Sequence, residues 1–345
     1  MRKVIVALLA VTMSLTLVMM GCAEEVVEEE VVEEEAVVEE EAMVEEEAVV
    51  EEEEVVKEVT VGNKNFTEQY ISGEMIKQLL EDRGFTVDFK PDLSTVVMRQ
   101  GMEAGDIDIC TEYTGTAWMV HLGHEYEPGV DNNELHQLVK EEDEGKGFIW
   151  LDPIWNNNTY AFASWTEFVE ENNVATLSDL AALYQEKEGK ISLFVTIEFS
   201  VRPDGLPAMQ EHYGFEVDEG HIMTGAAGMS LIGLEEHECD VGMVFGTDAK
   251  IAEHGWHVYM DDKAFFPPYD ITPSVRTEVL EKYPEIEDIL NELVATFPGG
   301  GEPATPAIVG ECQKVWQALI AKVDIDKMEP DEVAREYLLE HGLVK

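Results

Sequence analysis

From residue 59 onward the apolar positions switch between a period of two and a period near 3.6. Residues 59–61 read as a short strand, and 67–83 as a helix with Ile71, Met75, Leu79 and Leu80 on one face and Gly84 just past its end. Strands follow at 85–89 and 107–111, separated by a helix over 94–104 that stops at Gly105. Later strands are predicted at 159–163, 191–195, 241–245 and 258–260. Helices are predicted at 177–184 behind Thr176 as a cap, at 203–213, at 229–237, and from Pro330 to near Gly342, proline first and glycine last. Strands alternating with helices specify an α/β fold whose sheet is covered on both faces. Two stretches interrupt the alternation: the approach to Thr159 after a long helical region, and residues 261–270, rich in Phe, Pro and Asp. Read as crossings between lobes, they divide the chain into a first lobe of residues 59–159 plus 267–345 and a second of 160–266.

Two segments ahead of this part follow other patterns. Arg2 and Lys3 precede an uncharged, largely apolar run over 4–20, closed by Gly21 and Cys22. A basic start, an apolar core and a small residue before the cut site make a secretory signal. Met19-Met20-Gly21-Cys22 resembles a bacterial lipobox. Residues 1–21 are therefore expected to be a lipoprotein signal peptide and Cys22 the site of lipidation, which anchors an extracytoplasmic protein to the membrane. An uncleaved membrane anchor is the alternative. Residues 22–58 are expected to be a spacer: from 23 to 58 there are 19 Glu and only Lys57 as a basic residue. Such a segment repels itself and buries too little surface to offset the entropy of ordering.

Charge removes one class of partner. The formal charge of the chain is −52, and residues 59–345 carry 55 acidic against 19 basic side chains. Nucleic-acid binding needs a basic surface and is excluded. The acidity suits a cationic ligand, and equally a surface that stays soluble in salt. Cys110, Cys239 and Cys312 are widely spaced with no CxxC pair, so zinc and redox chemistry are not indicated. One disulfide among them would leave a free thiol; small buried apolar residues is the reading preferred.

Four local signals remain. Gly62-Asn63-Lys64-Asn65-Phe66-Thr67-Glu68-Gln69 runs from a strand end into a helix start, where backbone N–H groups beside a lysine make an anion site; an ordinary helix cap with Lys64 solvated is the alternative. Glu112-Tyr113-Thr114-Gly115-Thr116 follows a strand, where side chains face a ligand crevice or simply pack a turn. Trp155-Asn156-Asn157-Asn158-Thr159-Tyr160 puts three Asn at a strand start, to satisfy turn backbone or to make a polar hinge beside a ring. Asp262-Lys263-Ala264-Phe265-Phe266-Pro267-Pro268-Tyr269-Asp270 holds aromatic residues on a backbone stiffened by two prolines, as recognition loops and core-closing loops both do.

Together with Arg202-Pro203-Asp204-Gly205, these motifs make the chain from about residue 59 to its end resemble the substrate-binding proteins of osmoprotectant ABC importers, of the glycine betaine, choline and proline betaine type. The resemblance implies a two-lobed periplasmic-binding-protein clamshell (type II-like) with the ligand in the cleft. It implies partners, an ABC permease with its ATPase and a quaternary ammonium small molecule, and no cofactor, metal or catalysis. It implies an aromatic cage of Tyr113, Tyr160, Phe245 and Tyr269, with Phe245 where Tyr is commoner. It also implies a carboxylate end at Lys64, Thr116 and Arg202, and a polar contact at Asn158, where the family can have Asp. Choline has no carboxylate and would leave Lys64 and Arg202 without a partner, which favours a betaine over choline, although one site can tolerate both; a choline/carnitine-selective binding protein is the alternative.

Other classes fare worse. Gly228-Met229-Ser230-Leu231-Ile232-Gly233 lacks the GxSxG spacing of a nucleophile elbow. Neither His121 with His124 nor His254 with His257 stands in an HExxH arrangement, and all four read as surface histidines. A ligand-sensing module uncoupled from transport is left open.

Overall fold

The computed structural model describes residues 56–202 and 204–345. Residues 1–55 lie outside it, so the expected signal peptide, the lipidation of Cys22 and most of the acidic spacer fall outside the described residues. Ten strands form two five-stranded sheets: β1 Lys57–Lys64, β2 Phe85–Leu93, β3 Ile109–Tyr113, β4 Phe148–Trp150, β5 Tyr160–Ser164, β6 Leu193–Thr196, β7 Ile222–Gly225, β8 Val241–Phe245, β9 His257–Val258 and β10 Ile271–Arg276. The first sheet runs β2-β1-β3-β10-β4 and the second β7-β6-β8-β5-β9.

The two sheets share one plan. Each has three parallel strands, β2-β1-β3 or β7-β6-β8, built from strand–helix–strand units. Each then takes an antiparallel fourth strand: β10 against β3 and β4, β5 against β8 and β9. That fourth strand is in each case the first one the chain makes after crossing from the other lobe. The crossings lie side by side and are stitched by the Asn run. Asn156 Oδ1 accepts from Ile271 N at 3.0 Å, Asn157 Oδ1 from Tyr269 N at 2.9 Å, and Asn158 N donates to Tyr269 O at 2.8 Å. Asp270, fully buried, accepts from Asn157 N and from Asn132 Nδ2.

Local chemistry sets the boundaries of the helices. Helix Thr67–Asp82 buries Ile71, Met75, Ile76, Leu79 and Leu80. Helices Pro306–Asp324 and Pro330–Glu340 of the C-terminal region pack on it. Ser94 accepts from Val97 N to start helix Thr95–Ala104, and Gly105, at φ 81°, ends it. Thr176 and Asp179 form a reciprocal capping box at helix Leu177–Glu186.

Several boundaries differ from expectation. β1 begins at Lys57, paired with Phe85, so Lys57 and Glu58 belong to the sheet and not to the spacer. It also runs on to Lys64, because parallel pairing with β2 continues to Leu93. β3 extends to Tyr113, held by antiparallel pairing with Ile271. The helix expected over 203–213 begins at Leu206; Ile197–Val201 is a separate short helix, and Arg202 between them is extended, as the residue before a proline prefers. β4, β7 and β10 were not expected at all. Cys110, Cys239 and Cys312 are buried and free.

Candidate functional site

A cavity of about 410 Å³ is lined by both lobes and a crossing. Lys64, Tyr113 and Thr116 line it from the first lobe. Tyr160, Arg202 and Phe245 line it from the second, with Asn158 and Tyr269 from the crossings. All eight residues singled out in the sequence therefore meet at one cavity. Thr114–Thr116 is a single turn that leaves β3 and passes into a π turn, Ala117–His121. Gly115 lets the Phe-Phe-Pro-Pro-Tyr loop approach: a Cβ there would stand 2.8 Å from Pro267, from the Pro268 carbonyl and from the Tyr269 ring. Thr114 Oγ1 donates to Pro268 O at 3.0 Å and fixes the same contact.

The rings form an unbroken chain, and it includes one the sequence reading missed. Phe66 stacks on Tyr113 at 6.0 Å between centroids and on Phe245 at 5.2 Å. Phe245 meets Tyr160 at 5.5 Å, and Tyr160 meets Tyr269 edge-on at 5.4 Å. Phe66 is the N-cap of helix Thr67–Asp82 with extended backbone and no capping side-chain bond. A bulky ring at a position that favours Ser, Thr, Asp or Asn was the available signal.

The two cations are already paired. Lys64 Nζ forms an ion pair with Glu112 and lies 5.1 Å from the centre of the Tyr113 ring. Glu112 also accepts from Tyr113 N at 2.8 Å and bonds His121 Nε2 at 3.0 Å. Burial alone would raise the Glu112 carboxyl, but Lys64 and His121 outweigh it and hold it at about 2. Arg202 donates from Nε and Nη2 to the two oxygens of Asp204 at 2.7 and 2.5 Å, and from Nη1 to the Tyr160 hydroxyl at 2.8 Å. This corrects two expectations. A ligand without a carboxylate does not strand Lys64 and Arg202, since Glu112 and Asp204 already face them. His121 is not a surface histidine: the π turn carries it back onto Glu112, with its side chain 4% exposed.

Donor capacity remains nonetheless. An ammonium has three N–H donors and Glu112 takes one from Lys64. The Tyr160 hydroxyl accepts from Arg202, which leaves its own proton to give. The Tyr269 hydroxyl is buried with no partner. Asn158, in contrast, is turned to protein partners: Nδ2 donates to Glu68 Oε1 at 3.0 Å, and Oδ1 lies 2.9 Å from Thr247 Oγ1, which shares its one proton between Asn158 and Glu68.

Glu68 was also missed. It is buried in the first turn of its helix and accepts from Tyr113 OH at 2.7 Å and from Thr247 Oγ1 at 2.8 Å. Burial pushes its carboxyl up to about 7, against hydrogen bonds from Tyr113, Thr247 and Asn158. A second cavity, of about 340 Å³, shares Phe66, Phe245 and Asn158 with the first and has Glu68 among its lining residues.

Comparison with known proteins gives a consistent answer. The family described as the substrate binding domain of ABC-type glycine betaine transport systems matches residues 57–340. A glycine-betaine-binding protein of Pseudomonas aeruginosa is 34% identical over 289 residues, 82% of this chain and 88% of that protein. The carnitine transport binding protein OpuCC of Listeria monocytogenes is 30% identical over 286 residues, 81% of this chain and 85% of that one. A solved structure of a glycine betaine/carnitine/choline ABC transporter protein matches with a TM-score of 0.61 at 25% identity, covering 83% of this chain and 99% of that one.

Proposed function

We propose, for a chain that belongs to the family of substrate-binding domains of ABC-type glycine betaine transport systems and is a binding protein rather than an enzyme, that it captures glycine betaine or a close carboxylate-bearing relative in the 410 Å³ cavity. It hands that ligand to an ABC permease with its ATPase. The observation that carries the reading is the chain of rings from Tyr113 through Phe66, Phe245 and Tyr160 to Tyr269, with hydrogen-bond donors beside it. A trimethylammonium group has no N–H, so hydrogen bonds cannot grip it. Aromatic faces attract it at roughly 0.5–2 kcal/mol per ring. Four rings, Tyr113, Tyr160, Phe245 and Tyr269, supply much of the roughly 8 kcal/mol that micromolar affinity needs.

The carboxylate takes the remaining donors of Lys64, Thr116, Arg202 and the hydroxyls of Tyr160 and Tyr269, bonds strengthened where the donor is charged. Lys64 ends β1 in the first lobe and Arg202 follows helix Ile197–Val201 in the second, so one small zwitterion touching both draws the lobes together and presents the permease with a closed state. Asn158 acts through Glu68 and Thr247 rather than on the ligand. Ahead of the sheets, Cys22 carries the lipid anchor and the glutamate-rich segment holds the binding domain off the membrane, on the outer side where this family works.

Isothermal titration of residues 23–345 with glycine betaine and with choline tests the reading. Tighter betaine binding supports the ring chain and the carboxylate donors together. Choline binding alone keeps the rings and removes the carboxylate role of Lys64 and Arg202. Binding of neither rejects the ligand class. Labelling of the full chain with a radioactive fatty acid, lost in Cys22→Ser, tests the anchor.

A further inference from the structure

Behind the ring chain stands a carboxylate that does not itself line the ligand cavity but is bonded to two residues that do. We infer that Glu68 is the counter-charge of the captured ammonium and a positioning residue for the cage: it acts through the Tyr113 hydroxyl and binds the two lobes and a crossing at one point. The inference rests on the functional reading above.

Glu68 Oε1 receives the Tyr113 hydroxyl and the Asn158 amide, and Oε2 receives the Thr247 hydroxyl. Tyr113 belongs to the first lobe, Asn158 to the crossing and Thr247 to the loop after β8 in the second lobe. Glu68 is 1% exposed and is bonded to the hydroxyl of the ring over which Lys64 Nζ lies. Two consequences follow from its charge. A phenol donating to a carboxylate becomes richer in electrons, and its ring face attracts a cation more strongly. A negative charge one ring away also attracts the ammonium through a medium that screens poorly. A protonated Glu68 provides neither.

Occupancy and proton are therefore linked. In the ligand-free protein burial holds the Glu68 carboxyl up at about 7. A cation against Tyr113 favours the ionised form, so binding expels the proton and affinity rises with pH through 7. The second cavity, which Glu68 also lines, gives the proton its way out. Other groups face the same space: Asp248, pushed by burial up to about 7, Asp324, also raised, and Lys250 and Lys327; Lys64 and Glu112 stand beyond Tyr113. Asp248 takes the Phe245 backbone N–H and Glu112 that of Tyr113, whereas Glu68 takes the hydroxyl of the Tyr113 ring itself.

The test is the dissociation constant of glycine betaine and of choline at pH 6, 7 and 8 by titration calorimetry, for residues 23–345 and three variants. A one-unit fall of the Glu68 pKa on binding makes wild-type affinity about fivefold tighter at pH 8 than at pH 6. The slope is the same for both ligands, since Glu68 senses only the ammonium. Glu68→Gln, with its fold checked by circular dichroism, still binds but loses the slope. Tyr113→Phe keeps a ring, severs the link and flattens the slope. Asp248→Asn keeps it. A Glu68→Gln protein that retains the wild-type slope, or an Asp248→Asn protein that loses it, overturns the inference while the ligand reading stands. Wild type that binds neither ligand at any pH overturns both.

Discussion

Tyr160 is the ring on which the binding argument can be tested most sharply. It opens β5, where its backbone pairs with Phe245. Its side chain meets Phe245, Tyr269 and Phe199 at 5.5, 5.4 and 4.9 Å, and its hydroxyl accepts a hydrogen bond from Arg202. Tyr160→Ala removes one cation-binding face in a largely desolvated cavity, about 1–2 kcal/mol. At about 1.4 kcal/mol per factor of ten, betaine affinity falls roughly five- to thirtyfold. The ring is only partly buried, so the stability lost, about 2 kcal/mol, leaves a domain of ordinary stability folded. Tyr160→Phe separates ring from hydroxyl: it keeps the face and stays within about threefold of wild type for choline. Calorimetric titration gives the affinities and thermal melts confirm the fold. An alanine variant that melts as a folded protein and binds glycine betaine within about twofold of wild type refutes the reasoning, because a ring contributing so little is no wall of the site.

Three further outcomes follow from the geometry. Arg202→Ala weakens glycine betaine more than choline and destabilises the protein by about 3–5 kcal/mol, because Asp204 is left buried without its partner; equal losses for both ligands in titration rule out a carboxylate role. Gly115→Ala forces its new methyl against Pro267, Pro268 and Tyr269, costs about 1–3 kcal/mol in urea denaturation and loosens ligand binding by shifting Tyr269. The Glu112 carboxyl has a folded pKa of about 2 against an ordinary 4.5, so its stabilisation is complete above 4.5 and fades as pH falls toward 2. Glu112→Gln accordingly costs about 3 kcal/mol near pH 7 and clearly less at pH 3, read from urea midpoints; a gap independent of pH contradicts the pairing with Lys64.

What could be read in advance divides along physical lines. The parallel strands and their helices were legible because each is an apolar run closed by a local signal, such as Thr176 before helix Leu177–Glu186 or Gly105 after helix Thr95–Ala104. β10 was not, since Ile-Thr-Pro-Ser-Val-Arg carries Pro273 and three polar residues; partners on both sides bury Thr272 and Ser274 and make it a strand. The eight candidate site residues were found through motifs that together resemble a family. Phe66 and Glu68 lay inside one of those motifs and were passed over, because a cap position and a first-turn acid have ordinary local explanations. Only tertiary structure shows Phe66 bridging Tyr113 to Phe245 and Glu68 receiving hydroxyls from both lobes. The pairing of Lys64 with Glu112 is equally invisible in sequence, because the two lie 48 residues apart on separate strands.

The late arrival of β10 in the first sheet has a consequence for how the chain reaches its native state. The second sheet, β5 to β9, is drawn from one continuous stretch of chain. The first cannot close until β10 arrives, because Tyr113 waits for Ile271 and Trp150 for Ser274. As the polypeptide emerges, the later-made lobe is the one able to fold autonomously, while β3 and β4 wait with bare edges. Such edges are templates for misassembly, and long-range pairing of this kind slows folding. A fragment ending after β9 should therefore fold its second lobe and aggregate through its first.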